Sequence, residues 1–123
     1  MLVIRREQFD ALAAVKLANF ETRMIQHLRN VFPEWSLALG PEKLHDFVRH
    51  GIARASVHGF RTELDVARYL HVMQSLGETF DESTEFPWAA ELLTKEIPAA
   101  AKMDRLRDAV EYQLEARRIC HVR

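Results

Sequence analysis

The side chains best suited to chemistry are six histidines, His27, His45, His50, His58, His71 and His121. A metal pair on a helix needs histidines three or four residues apart, so that both imidazoles share a face. His45 and His50 are five apart, which turns them about 140° away from each other at 100° per residue. His50 and His58 share a face but stand two turns apart, and no His-Glu-x-x-His run occurs. This spacing predicts histidines scattered over helix surfaces and no metal site.

A search for a nucleophile gives the same result. Ser36, Ser56, Ser75 and Ser83 all lie outside any Gly-x-Ser-x-Gly elbow. Ser56 and His58 are neighbours in sequence, but residues two apart on a helix do not face each other. Cys120 is the one cysteine, so an intrachain disulfide and a multi-cysteine zinc site are excluded. It falls in a stretch expected to be a tail, where a nucleophile cannot be preorganised. There is no Walker loop and no glycine-rich dinucleotide turn. No catalytic residue and no cofactor is therefore expected, and the chain reads as a non-enzyme.

Acidic pairs occur at Asp81/Glu82 and Asp104/Asp108. Paired carboxylates can perform glycoside chemistry. Asp104 and Asp108 alternate with Lys102, Arg105 and Arg107, the pattern of a solvated helix face. The charge distribution is more informative. From Glu78 to Glu96 six acids (Glu78, Asp81, Glu82, Glu85, Glu91, Glu96) face Lys95 alone. From Ala99 to Arg123 six bases outnumber four acids. One reading is that the two regions solvate each other across a surface. The other is that the acidic loop docks a basic protein partner, with aromatic anchors ringed by charge. On that reading the partner-binding residues are Phe80, Asp81, Glu82, Glu85, Phe86 and Trp88. Phe86 and Trp88 flank Pro87 and suit a core plug equally well.

The elements that must carry these residues are helices. Phe9, Leu12, Leu17, Phe20, Met24, Leu28 and Val31 recur at steps of three to five, which predicts a helix from about Glu7 to Val31. Its other face carries Asp10, Glu21, Arg23 and Arg29. Such a helix is about 37 Å long and is expected to be the spine of the domain. Phe32-Pro33 ends it, because the residue before proline is pushed out of the α region. Pro33 to Leu39 is expected to add a turn, with Trp35 and Leu37 folded back on the spine.

Pro41 opens a second long helix to about His58, with Leu44, Phe47, Val48, Gly51, Ile52 and Ala55 as its apolar stripe. Gly51 either allows another helix to come close or simply weakens its own helix by about 1 kcal/mol. Thr62 reads as an N-cap, with Glu63 and Asp65 in the first turn. That helix is expected to end near Gly77, with Val66, Tyr69, Leu70, Met73 and Leu76 inward and Leu64 and Ala67 extending the stripe. Glu78 to Glu85 reads as a loop. A short helix from Pro87 to Pro98 carries Trp88, Leu92 and Leu93. The last helix is expected from Ala99 to Arg117, with a loose tail over 118–123.

No segment alternates at period two, so the expected fold class is all-α, a bundle of five to six helices in one domain. The length of 123 residues, 48% hydrophobic and 28% charged, suits one ordinary globular domain rather than a disordered chain. A formal net charge of −1 provides no general attraction to nucleic acid or anionic lipid. The apolar start Met1 to Ile4 is too short for a secretory signal, and no run approaches the roughly 20 apolar residues of a membrane span. A cytoplasmic location is expected.

Several stretches follow one another along the chain: Met1-Leu-Val-Ile-Arg-Arg-Glu-Gln8, Phe20-Glu-x-Arg-Met24 with His27-Leu-Arg29, and Phe32-Pro33. They continue with Gly51-Ile52, His58-Gly59, Tyr69-Leu70, Gly77-x-x-Phe80-Asp81, Pro87-Trp88-Ala-Ala90 and Lys102-Met-Asp-Arg-Leu106. In these stretches the chain resembles small helical accessory proteins encoded with bacterial type VI secretion and contractile-injection clusters. The resemblance implies an effector chaperone, co-chaperone or adaptor that binds a secreted effector or its chaperone. An immunity protein that neutralises a cognate toxin is the alternative, and a small enzyme of unknown chemistry is a second.

Overall fold

The structure, a computed structural model, describes residues 6–121, with side chains over 17–118. The described residues form six α-helices and no strand: α1 Arg6–Val31, α2 Pro33–Leu39, α3 Pro41–Val57, α4 Glu63–Leu76, α5 Pro87–Leu93 and α6 Ala99–His121. The all-α class read from the apolar periodicity is thus present. None of the helices is long and apolar enough, among the described residues, to cross a membrane. Phe9, Leu12 and Cys120, assigned roles from sequence, lie outside the residues whose side chains are described.

Contacts along the chain fall into two compact units, one up to Arg49 and one from His50. The division lies inside α3. In the first unit α1 packs on α2. Proline at N1 starts α2, since its fixed φ suits the helix and its missing N–H is not needed there. Ser36 is buried and its hydroxyl donates to the Leu28 carbonyl at 3.0 Å. Trp35 meets Phe47 edge-on with ring centroids 4.8 Å apart.

Leu37 does not fold back on α1 but is 85% exposed. Residues two apart on a helix point about 200° apart, so Trp35 and Leu37 cannot both face inward. Leu17 and Val31 are exposed as well, while Phe20 and Leu28 between them are buried. Helical pitch assigns a residue to a face but does not supply a neighbour to cover it. Glu21, expected on the solvated face, lies 3.4 Å from Arg49 and 3.5 Å from His45.

In the second unit α4 and α5 both pack on α6. Thr62 caps α4 as expected, its hydroxyl accepting from the Asp65 N–H at 3.1 Å. Val66, Tyr69, Leu70 and Met73 are buried, and so is Val72, whereas Leu64 is exposed. Gly59 ends α3 with φ +87°, a left-handed conformation that glycine adopts without strain. Pro98 does not end α5, which stops at Leu93. Its carbonyl instead accepts from the Lys102 N–H at 3.0 Å and so opens α6. α6 continues to His121, four residues past the end expected from sequence, so 118–121 are helical rather than a loose tail.

Gly51 brings α3 against α4. A Cβ there would stand 2.2 Å from Leu70 Cδ2 and 2.9 Å from Met73 Sδ. Both neighbours are buried and have little room to move. Close approach, not a mere weakening of the helix, explains this glycine. Alanine would gain about 1 kcal/mol in helix propensity but would overpack the contact at a cost of about 1–3 kcal/mol. Gly51→Ala is therefore expected to destabilise the protein by about 1 kcal/mol, read as a lower midpoint in urea denaturation followed by circular dichroism. A raised midpoint would show that α3 and α4 do not pack this closely.

Candidate functional site

The acidic loop between α4 and α5 is built from successive tight turns. The Phe80, Glu82, Ser83 and Phe86 N–H groups each donate to the carbonyl three residues earlier. These turns bring three side chains of the loop inward. Phe80 and Phe86 are each 1% exposed and Asp81 is 5% exposed. Phe80 packs on Tyr69 with centroids 5.2 Å apart, and Phe60 packs on the same tyrosine at 5.9 Å. Of the six residues proposed to grip a partner, Phe80, Asp81 and Phe86 are thus covered by this chain itself. Glu82 and Glu85 are exposed, and Trp88 is half-buried with its ring edge-on to Phe86.

Asp81 is buried because a guanidinium and an imidazole from α3 and its C-terminal turn satisfy it. Arg54 Nε donates to Asp81 Oδ2 at 2.7 Å, and His58 Nε2 contacts the same oxygen at 2.9 Å. Arg54 and His58 are four residues apart, so they share one face at the end of the helix. Arg54 also reaches Glu82 at 3.4 Å. Burial by itself would raise the Asp81 pKa. The hydrogen bonds from His58 and Arg54, with their charges, outweigh it and hold the carboxyl below the usual carboxylate range. The same pairing raises Arg54. Beside them the Tyr69 hydroxyl is buried without a hydrogen-bond partner. Burial, then the Asp81 charge, push its pKa far above the ordinary phenol value, so it stays neutral.

Lys102 extends this network. It was expected on a solvated face of α6, yet it is 8% exposed. Its Nζ donates to the Leu93 carbonyl at 3.0 Å and to the His58 carbonyl at 3.3 Å. One ammonium thus satisfies the open C-terminal carbonyls of α5 and of the turn after α3. Chemically, an aspartate paired with an imidazole is two-thirds of a hydrolytic triad. Among the described residues no hydroxyl or thiol is hydrogen-bonded to His58, and no group of three metal-ligating side chains forms. The arrangement acts as a latch that fastens the acidic loop to α3.

A groove lies elsewhere on the same unit. Arg68, His71, Val72 and Ser75 of α4 line a groove of about 300 Å³ with Arg107, Val110 and Glu111 of α6. Val72 and Val110 are buried and form its floor. Neither arginine has an anionic partner among the described residues, and Glu111 is unpaired too. Sequence reasoning missed this groove. The signal was present, since Arg68, His71, Val72 and Ser75 follow the i, i+3, i+4, i+7 rule for a helix face. It was obscured because the adjoining stripe of larger apolar residues accounted for α4.

No known protein family, no characterised protein and no solved structure matches the chain.

The latch makes stability depend on pH in a definite direction. The folded Asp81 pKa lies below its unfolded value, so its stabilisation is fully present above the unfolded pKa of about 4. It is lost as pH falls through the folded value. Asp81→Asn is expected to cost about 3 kcal/mol near pH 7, because it leaves Arg54 and His58 facing a neutral group. The gap to wild type should narrow below about pH 4. Denaturation midpoints of both proteins across pH would show this, and a constant gap would refute the latch.

Proposed function

We propose that the chain is a non-catalytic protein-binding accessory factor that serves a type VI secretion system from the cytoplasm as an effector chaperone, co-chaperone or adaptor. The observation that carries the binding half of this reading is the open α4–α6 groove, which has an apolar floor and two arginines without anionic partners. Small-molecule sites enclose most of their ligand. An open furrow between two helices suits a polypeptide segment better, with apolar anchors seated in the floor and charges at the rim.

The secretion half rests on the resemblance of the ordered motifs from Phe20-Glu-x-Arg-Met24 to Lys102-Met-Asp-Arg-Leu106. The Arg54–Asp81–His58 cluster suits the same reading. It uses the most reactive-looking residues of the chain to hold a loop in place.

Deleting the chain from its host is expected to abolish export of at least one type VI effector that co-purifies with it. Expression of the intact chain should restore export. Undiminished export of every effector would end the secretion role, whatever the chain binds.

A further inference from the structure

We infer that the α4–α6 groove docks an acidic amphipathic helix of the partner protein, with carboxylates meeting Arg68 and Arg107 and aliphatic side chains seated on Val72 and Val110. This deepens the protein-binding reading and rests on it. Charge complementarity carries the choice. Two guanidinium groups, one from each wall, face the same furrow without a carboxylate partner among the described residues. Guanidinium prefers the planar, two-oxygen geometry of a carboxylate.

The floor adds a second condition. Val72 is 3% and Val110 7% exposed, so the base of the groove offers a narrow apolar contact. An occupant must therefore carry aliphatic groups beside its charges. The lining from Arg68 to Ser75 spans about 10 Å at 1.5 Å per residue, the length of two turns of a docked helix. Glu111 lines the same groove and carries the opposite charge. It disfavours a continuous run of phosphates and suits a segment whose acids are interrupted by apolar or basic residues. His71 is the one aromatic ring among the described lining residues, so the groove lacks the row of rings on which successive bases stack.

The test uses the full chain and a labelled amphipathic peptide of about 15 residues with alternating Leu and Glu faces. Its counterpart has every Glu replaced by Gln. Fluorescence anisotropy is expected to show the acidic peptide binding at least about tenfold tighter than the Gln peptide, with the difference shrinking as salt rises. Arg68→Glu and Arg107→Glu are each expected to weaken the acidic peptide by about tenfold, while Arg68→Lys and Arg107→Lys, which keep the charge but lose the two-oxygen geometry, weaken it less. Should a reversal variant lose helicity, amide shifts on the wild-type protein decide, with the largest changes expected at Val72, Ser75 and Val110.

Equal affinity for the two peptides would overturn the proposal, as would shifts elsewhere or binding indifferent to both reversals. So would full displacement of the peptide by inorganic phosphate at the concentration that saturates phosphate binding, or tighter binding of a single-stranded RNA oligonucleotide. If the reversal variants still capture and export the effector, the groove assignment falls and the accessory role stands. If no effector depends on the chain, the accessory role falls.

Discussion

The second unit depends on one buried negative charge. A carboxylate removed from water must be met by cations and hydrogen-bond donors at close range, or it will be expelled or protonated. Asp81 meets this demand with Arg54 and His58, both contributed by the end of α3. The consequence is geometric. The loop between α4 and α5 can close only where those two side chains stand, and this placement also presses Phe80 on Tyr69. Lys102 then fixes the turn after α3 to the end of α5 through two carbonyls. Four segments distant in sequence are joined by one connected set of polar contacts.

Around that polar set the apolar packing is tight. Gly51 lets α3 lie directly on the side chains of Leu70 and Met73. Tyr69 stands among Phe60, Phe80 and His58, its ring centroid 5.9, 5.2 and 6.0 Å from theirs. This surrounding leaves its hydroxyl without a partner, a local cost set against the burial of three aromatic rings. The interior charges are thus matched, and the tyrosine hydroxyl is the unmatched polar atom among the described buried side chains.

The groove differs in kind. Arg68, Arg107 and Glu111 retain contact with solvent, so their lack of partners costs the fold little. Charges whose pairing is not required for folding are free to be paired by something else. This division explains why the acidic loop, the most conspicuous charged stretch, serves structure. The less conspicuous stripe on α4 contributes Arg68 to the open groove, without an anionic partner among the described residues.

Sequence patterns determined the helical class, the N-cap at Thr62 and nearly every helix boundary, because pitch, capping and proline effects act within a few residues. They also singled out Phe80, Asp81, Glu82, Glu85, Phe86 and Trp88 as one group, without deciding whether that loop faced a partner or the core. Only the tertiary structure could decide that. The decision lies in a contact between Asp81 and residues 23 and 27 positions earlier, and no local pattern encodes it. The same holds for Lys102, which resembles any solvated lysine until the carbonyls of Leu93 and His58 are brought to it. Leu37 is the converse case, an apolar residue at helical pitch left exposed because no described segment covers it. Local sequence sets the direction in which a side chain points along its helix, and long-range packing sets what it meets there.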